Sequence, residues 1–112
     1  DKGKRVIYMF NQDTIFKGRS DELTVNGVLI LDQLAGKLAK MGGFTRINIV
    51  AYTDAVGSKQ SNMSLSQKQA AVIADRLKNL AAEIKTVGAG AEILYLKDKP
   101  SKWDMRYEIE LY

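Results

Sequence analysis

The stretch that decides the fold is residues 47–80, INIVAYTDAVGSKQSNMSLSQKQAAVIADRLKNL. Its first part, Ile47–Thr53, is rich in β-branched and aromatic residues and contains neither glycine nor proline. This composition predicts a buried strand. The next part begins at Asp54, has a turn signal at Gly57 and stays polar to Ser64, which predicts a loop.

The last part of this stretch predicts an amphipathic helix that starts near Ser66. Apolar residues recur there at steps of three and four, at Ala70, Ile73, Ala74, Leu77 and Leu80. A strand end, a loop and a helix N-terminus therefore meet at one place. In α/β proteins such a place often holds a ligand.

Length and composition indicate one folded unit. The chain has 112 residues, of which 46% are hydrophobic, enough for a single core, and 27% are charged, as expected of a protein exposed to water. We expect one domain over residues 1–112, with residues 1–4 as a flexible tail. No apolar run is long enough to cross a bilayer. If the protein is exported, we expect its targeting segment to lie outside this chain.

The residues that the chain lacks exclude several kinds of chemistry. It contains no cysteine and no histidine, so disulfides, thiol and imidazole catalysis and the usual zinc ligands are excluded. No pair of acidic residues has a spacing typical of catalysis. We therefore expect no enzyme, no metal and no cofactor. The chain has a net charge of +4, but it contains no run of basic residues beyond residues 2–5. We therefore expect no nucleic-acid partner.

The first half of the chain predicts a strand and a helix. The apolar run Arg5–Phe10 predicts the first strand. Val25–Met41 has a helical period, Thr24 is a suitable N-cap, and Gly42-Gly43 is a typical helix end.

The C-terminal part predicts short strands. Ile84–Val87 is a candidate third strand, Gly88–Ala91 is predicted to be a flexible turn, and Ile93–Leu96 is a candidate extension of the sheet. Met105–Tyr112 alternates apolar and polar residues, which is typical of a half-exposed strand.

These elements predict an α/β (α+β) fold. Strand, helix, strand and helix are followed by two or three strands, and each helix has one apolar face. The simplest arrangement is a sheet with both helices packed on one face. Phe16 and Leu23, between the first strand and the first helix, are expected to fasten that loop to the core.

The central stretch resembles the OmpA C-terminal-like domain family, the peptidoglycan-binding modules of Gram-negative envelopes. The family's pattern is T-D-x-x-G, four variable residues, then N-x-x-L-S-x-x-R-A. Seven of its eight defined positions match here, at the same spacing: Thr53, Asp54, Gly57, Asn62, Leu65, Ser66 and Ala70. The resemblance implies a βαβαβ sandwich with a mixed sheet. It extends to the last strand, where Arg106, Glu108 and Ile109 match.

The same resemblance implies a peptidoglycan site. In the family the aspartate binds the ammonium group of diaminopimelate in the stem peptide, and the arginine binds a carboxylate. Asp54 keeps the first role, but Gln69 stands at the arginine position and is neutral. The residues predicted to bind ligand are Asp54, Thr53, Gly57, Asn62, Leu65, Ser66, Gln69 and Lys59. Lys59, Lys68 and Arg76 are the cations considered as replacements for the missing arginine. Lys59 lies in the predicted loop and could reach the site, whereas Lys68 points about 100° away around the helix and Arg76, two turns further along, is expected to be too far.

Each of these residues also has a structural interpretation. Asp54 can initiate a turn, and Asn62 is a common loop residue. Ser66 and Gln69 form the pattern S-x-x-Q, which is typical of a capping box at a helix start.

Two functions remain open on the sequence. One is a periplasmic domain that binds peptidoglycan and anchors an outer-membrane-associated protein of a Gram-negative bacterium to the cell wall. The other is a scaffold domain that contacts other proteins of an envelope-spanning secretion or conjugation complex, with peptidoglycan binding weakened or lost because Gln69 replaces the arginine.

Overall fold

A computed structural model of the chain describes residues 6–42, 44–54, 57–91 and 104–112. The elements alternate largely as the hydrophobic pattern predicts. In chain order they are β1 (Val6–Asn11), α1 (Gln12–Ile15), α2 (Val25–Met41), β2 (Arg46–Tyr52), α3 (Lys59–Arg76), β3 (Glu83–Gly90) and β4 (Arg106–Leu111). No helix in these ranges is both long enough and apolar enough to cross a membrane.

The four strands form one mixed sheet in the order β1-β4-β2-β3. β2 and β3 are parallel, whereas β4 runs antiparallel to both β1 and β2. The C-terminal strand is therefore central, with Ile109 paired to Tyr8 on one side and to Ile49 on the other. This position explains why apolar and polar residues alternate along β4. Tyr107, Ile109 and Leu111 are buried in the core, and the intervening glutamates are only half-buried.

Both long helices pack on the same face of the sheet, as predicted. The core is formed by alternate residues of β2 and β4 and by the apolar stripes of α2 and α3; its main members are Leu31, Leu34, Leu38, Ile47, Ile49, Ala51, Ala70, Ile73, Leu77, Tyr107, Ile109 and Leu111. The mixed α/β fold expected from the sequence is confirmed.

The predicted bounds of α2 are confirmed. The Thr24 hydroxyl accepts a hydrogen bond from the Gly27 amide at 2.8 Å, which caps the first turn. Gly42 ends the helix at φ +61°, a left-handed value that suits glycine. The predicted anchoring of the preceding loop is also confirmed, because Phe16 is buried and Leu23 packs against the core.

The predicted start of α3 near Ser66 is wrong. The helix begins at Lys59, and its N-cap is Ser58, whose hydroxyl accepts a hydrogen bond from the Ser61 amide at 3.0 Å. The segment 59–61 is polar because it is the exposed first turn of the helix, not because it is a loop. The helix also ends earlier than predicted, at Arg76.

The predicted flexible turn at Gly88–Ala91 is also wrong, because β3 continues to Gly90. The glycines are needed for packing. A Cβ atom on Gly88 would lie 2.4 Å from Gln67 Cγ, and one on Gly90 would lie 2.6 Å from Met63 Sδ. The absence of side chains lets β3 lie close against α3. The candidate strand Ile93–Leu96 and the tail at residues 1–4 lie outside the described residues.

Candidate functional site

Asp54 lies just beyond the C-terminal end of β2, where hydrogen bonds made by Thr53 and Asn62 hold its backbone. The Thr53 amide donates to the Gly90 carbonyl at 2.7 Å, and the Thr53 hydroxyl donates to the Asp54 carbonyl at 3.0 Å. Asn62, in the second turn of α3, donates its side-chain amide to the same Asp54 carbonyl at 3.3 Å. The strand end and the helix thus position the Asp54 carboxylate together.

The cation beside Asp54 comes from the loop between α1 and α2, and the sequence analysis did not anticipate it. Arg19 Nη1 donates to Asp54 Oδ1 at 2.8 Å, and Arg19 Nη2 donates to Asn62 Oδ1. Met105 Sδ lies 3.4 Å from Nη1. The two side chains of the ion pair are 37% and 32% exposed, so both reach solvent.

The loop that carries Arg19 is tightly folded. The Lys17 amide donates to the Glu22 carbonyl at 2.8 Å, and Lys17 Nζ lies 3.0 Å from Glu22 Oε2. The Ser20 hydroxyl donates to the Lys17 carbonyl at 2.5 Å. A β-bridge between Phe16 and Leu23 closes the loop at its base. Arg19 is therefore presented at the tip of a short, internally bonded loop.

Gln69 is wholly buried beneath this loop. Its side-chain Nε2 donates to the Ser20 carbonyl at 2.9 Å, and its Oε1 is buried without a hydrogen-bond partner. The predicted capping box with Ser66 is wrong, because α3 begins seven positions earlier, at Lys59. The Ser66 hydroxyl instead accepts a hydrogen bond from the Gly90 amide at 3.1 Å.

An open cleft of about 370 Å³ lies between the Arg19 loop and α3. Its walls carry two cations, one carboxylate, three hydroxyls and one apolar side chain, namely Arg19, Lys68, Asp21, Ser20, Ser61, Ser64 and Leu65. Lys59 is exposed at the start of α3 and does not line this cleft. Among the described residues, no group of three or more His, Cys, Asp or Glu side chains could hold a metal ion.

The predicted site residues thus fall into separate groups. Asp54 and Asn62 accept hydrogen bonds from the Arg19 guanidinium, and Gly57, with φ +90°, lies close to it. The Thr53 hydroxyl donates to the Asp54 carbonyl. Leu65 lines the cleft, Ser66 faces β3, Gln69 lies under Ser20, and Lys59 is exposed in the first turn of α3. Their roles in ligand binding stay predictions. Arg19 was missed because a single charged residue in an irregular loop has no periodicity that could predict its partner.

Tyr52, the last residue of β2, has an unusual environment beside this site. Burial raises the pKa of its phenol above the ordinary value of 10.0, and the Glu108 carboxylate raises it further. The Arg106 guanidinium opposes this effect and stacks 3.8 Å from the centre of the Tyr52 ring. Arg106 is nearly buried, and its Nε donates to Glu108 Oε2 at 2.9 Å.

Most of the chain matches one protein family model. Residues 15–105 match the family model described as "OmpA family". None of the curated protein sequences is significantly similar to the chain.

Several solved structures share the fold. The periplasmic domain of MotB from Helicobacter pylori is 16% identical, with a TM-score of 0.76 over 94% of this chain and 80% of that one. The cell wall anchor of the T6SS from Pseudomonas aeruginosa is 14% identical, with a TM-score of 0.76 over 96% and 81%. The peptidoglycan-associated lipoprotein from Burkholderia pseudomallei is 24% identical, with a TM-score of 0.68 over 93% and 89%.

Proposed function

Because the chain belongs to the OmpA family, we propose that it is a non-catalytic periplasmic domain that binds peptidoglycan. In this role it anchors an outer-membrane-associated protein of a Gram-negative bacterium to the cell wall. The observation that carries the proposal is the Asp54 carboxylate, partly exposed at the end of β2 and paired with a cation beside an open cleft.

The chemistry of the proposed ligand suits this arrangement. The free end of a diaminopimelate side chain carries an ammonium group and a carboxylate on one carbon. Paired opposite charges bind such an end well, because each charged hydrogen bond is stronger than a neutral one. Asp54 supplies the acceptor for the ammonium group, and Asn62 keeps its backbone in position.

The structural neighbours support the proposed location. One is a cell wall anchor, one is a peptidoglycan-associated lipoprotein, and one is a periplasmic domain. At identities of 14–24% these likenesses concern the fold, so the location and the ligand of this chain are inferred from the family together with the site.

A sedimentation assay with purified diaminopimelate-type peptidoglycan tests the proposal. Wild type is expected to sediment with the peptidoglycan, and Asp54→Asn is expected to stay in solution because it lacks the acceptor charge. Asp32→Asn is the matched control, since Asp32 also pairs with an arginine, Arg76 at 3.4 Å, but on α2. Circular dichroism checks that all variants are folded. Equal retention of wild type and Asp54→Asn would contradict the proposed site.

A second candidate is a scaffold domain within an envelope-spanning secretion or conjugation complex. The observation that favours it is Gln69, which replaces the family arginine and is fully buried, so α3 offers no cation from that position. Folded wild-type protein that does not sediment with peptidoglycan under any salt condition would favour this candidate over the first.

A further inference from the structure

We propose that Arg19 supplies the cation that the family takes from the position of Gln69, and that it binds a carboxylate of the ligand. This inference rests on the proposed peptidoglycan function and adds a binding residue to it. The cation has moved from the helix to the loop between α1 and α2, but it remains beside Asp54.

The Arg19 guanidinium lies beside the predicted ligand-binding residues Asp54 and Asn62. Arg19 donates to the carboxylate of Asp54 and to the side-chain carbonyl of Asn62, the two polar residues of the family pattern that flank the strand end and the helix. More than a third of the Arg19 side chain is exposed (37%), so a ligand can reach it. A guanidinium has five N–H donors in one plane, a geometry that matches a carboxylate.

Gln69 holds the loop that carries Arg19. Its buried amide holds the carbonyl of Ser20, the residue that follows Arg19. Position 69 therefore contributes to the site indirectly, as a positioning residue that fastens the Arg19 loop to α3. The loop that carries Arg19 covers Gln69, so position 69 presents no side chain to solvent.

A zwitterionic ligand can displace the ion pair between Arg19 and Asp54. A pair of partly exposed side chains is weakly held in water. A ligand end that carries both an ammonium group and a carboxylate replaces this one ion pair by two, ammonium to Asp54 and carboxylate to Arg19. The net charge of the site is unchanged by this exchange. The open cleft on the Arg19 side, with Lys68 in its wall, gives the carboxylate room to approach.

The experiment compares two stem peptides that differ by a single carboxylate. Diaminopimelate is lysine with an added carboxylate on the terminal carbon, so peptides ending in one or the other isolate the contribution of that group. Titration calorimetry or fluorescence measures both affinities for wild type and for Arg19→Gln. Wild type is expected to prefer the diaminopimelate peptide by roughly ten- to a hundredfold. Arg19→Gln is expected to lose this preference and to keep its affinity for the lysine peptide.

Arg76→Gln is the matched control. Arg76 is also an arginine paired with an aspartate, and its side chain is equally exposed at 38%, but it lies in the last turn of α3. This variant changes the net charge by the same amount and is expected to keep the preference. Gln69→Met tests the positioning role, because it keeps the length of the side chain but cannot hold Ser20. It is expected to reduce the preference while circular dichroism shows a folded chain.

The outcomes separate this inference from the function on which it rests. If folded wild type binds neither peptide nor peptidoglycan, the proposed function fails and the inference fails with it. If wild type prefers diaminopimelate and Arg19→Gln does so equally, the function stands and the inference is overturned. If Arg19→Gln binds both peptides more tightly than wild type, Arg19 competes with the ligand for Asp54, which also overturns the inference.

Discussion

Gln69 shows how one substitution can change the construction of a site. At the position where the OmpA pattern has arginine, this chain has a neutral amide that is fully buried and bonded to the loop between α1 and α2. Burying a polar group without a hydrogen bond costs free energy, so the bond from Gln69 Nε2 to the Ser20 carbonyl helps to hold the loop on α3. Gln69 therefore links α3 to the loop between α1 and α2.

Gln69→Ala is expected to lower the free energy of unfolding by about 1–3 kcal/mol, because it leaves the Ser20 carbonyl unsatisfied and opens a void. Urea unfolding followed by circular dichroism measures the change. Gln60→Ala, in the exposed first turn of the same helix, is the control and is expected to have little effect. Equal stability of the two variants would show that the Gln69–Ser20 contact does not hold the loop.

The ionisation of Tyr52 is expected to make the free energy of unfolding depend on pH in the alkaline range. Burial and the Glu108 carboxylate raise the pKa of its phenol in the folded state above the unfolded value of about 10. As the pH rises, the unfolded chain therefore loses this proton before the folded chain does. The contribution of the neutral Tyr52 phenol to the free energy of unfolding is fully present below about pH 10 and decreases as the pH rises toward the folded pKa. We expect Tyr52→Phe to lose stability less steeply than wild type across this range, as measured by urea unfolding at successive pH values. Parallel curves would contradict this expectation.

The contact between α3 and β3 is one of the close packings in the described structure. β3 lies parallel to β2, and its last residues pass directly beside the middle of α3. Gly88 makes this approach possible, because any Cβ atom there would lie 2.6 Å from the Gln67 backbone nitrogen. Since the Gly90 amide is also the donor to Ser66, this packing fixes the end of the sheet at which Asp54 is presented.

Gly88→Ala is expected to destabilise the chain by about 1–3 kcal/mol, because the added methyl group pushes against backbone and not against a flexible side-chain end. Gly36→Ala is the matched control. Gly36 lies exposed in the middle of α2, and nothing stands within 4 Å of the added Cβ atom. We expect this second change to stabilise the chain by about 0.5–1 kcal/mol, since alanine is the better helix former. Denaturant unfolding of both variants measures the two changes in the free energy of unfolding. Changes of the same sign in both variants would contradict this prediction.

The fold as a whole depends on its last strand. β4 is an inner strand of the sheet and pairs with both β1 and β2, so it joins strands that are far apart in the sequence. Without β4, β1 would lose its partner strand and the core would lose Tyr107, Ile109 and Leu111. Contacts between such distant parts of a sequence also slow folding, because a long loop must close before they form.

A chain that ends at Met105 is therefore expected to show no cooperative unfolding transition. The control is a circular permutant in which residues 106–112 precede Asp1. Leu111 pairs with Val6, so residues 1–5 then connect β4 to β1 as a hairpin. This permutant is expected to fold, and to fold faster than wild type, as measured by stopped-flow fluorescence. Cooperative unfolding of the truncated chain would show that β4 is dispensable.

The sequence by itself determined the elements and their family. The helix Val25–Met41 follows from apolar periodicity and from its two end signals, Thr24 and Gly42, which are local properties. The motif from Thr53 to Ala70 indicates the family because it is also local: all its residues belong to one strand end, one loop and one helix. The start of α3 is not predicted correctly because polar residues are typical both of loops and of exposed helix turns. The role of Gly88 is not predicted correctly because glycine is typical both of turns and of closely packed strands.

Only the tertiary structure decided how the candidate site is built. Arg19 and Asp54 are 35 residues apart, and Gln69 and Ser20 are 49 apart, so no local pattern links them. The loop must first fold onto α3 before the guanidinium meets the carboxylate and the amide is buried. Which residue supplies the cation beside Asp54 therefore depends on the packing of the loop against the helix, because packing brings together charges that the chain keeps far apart.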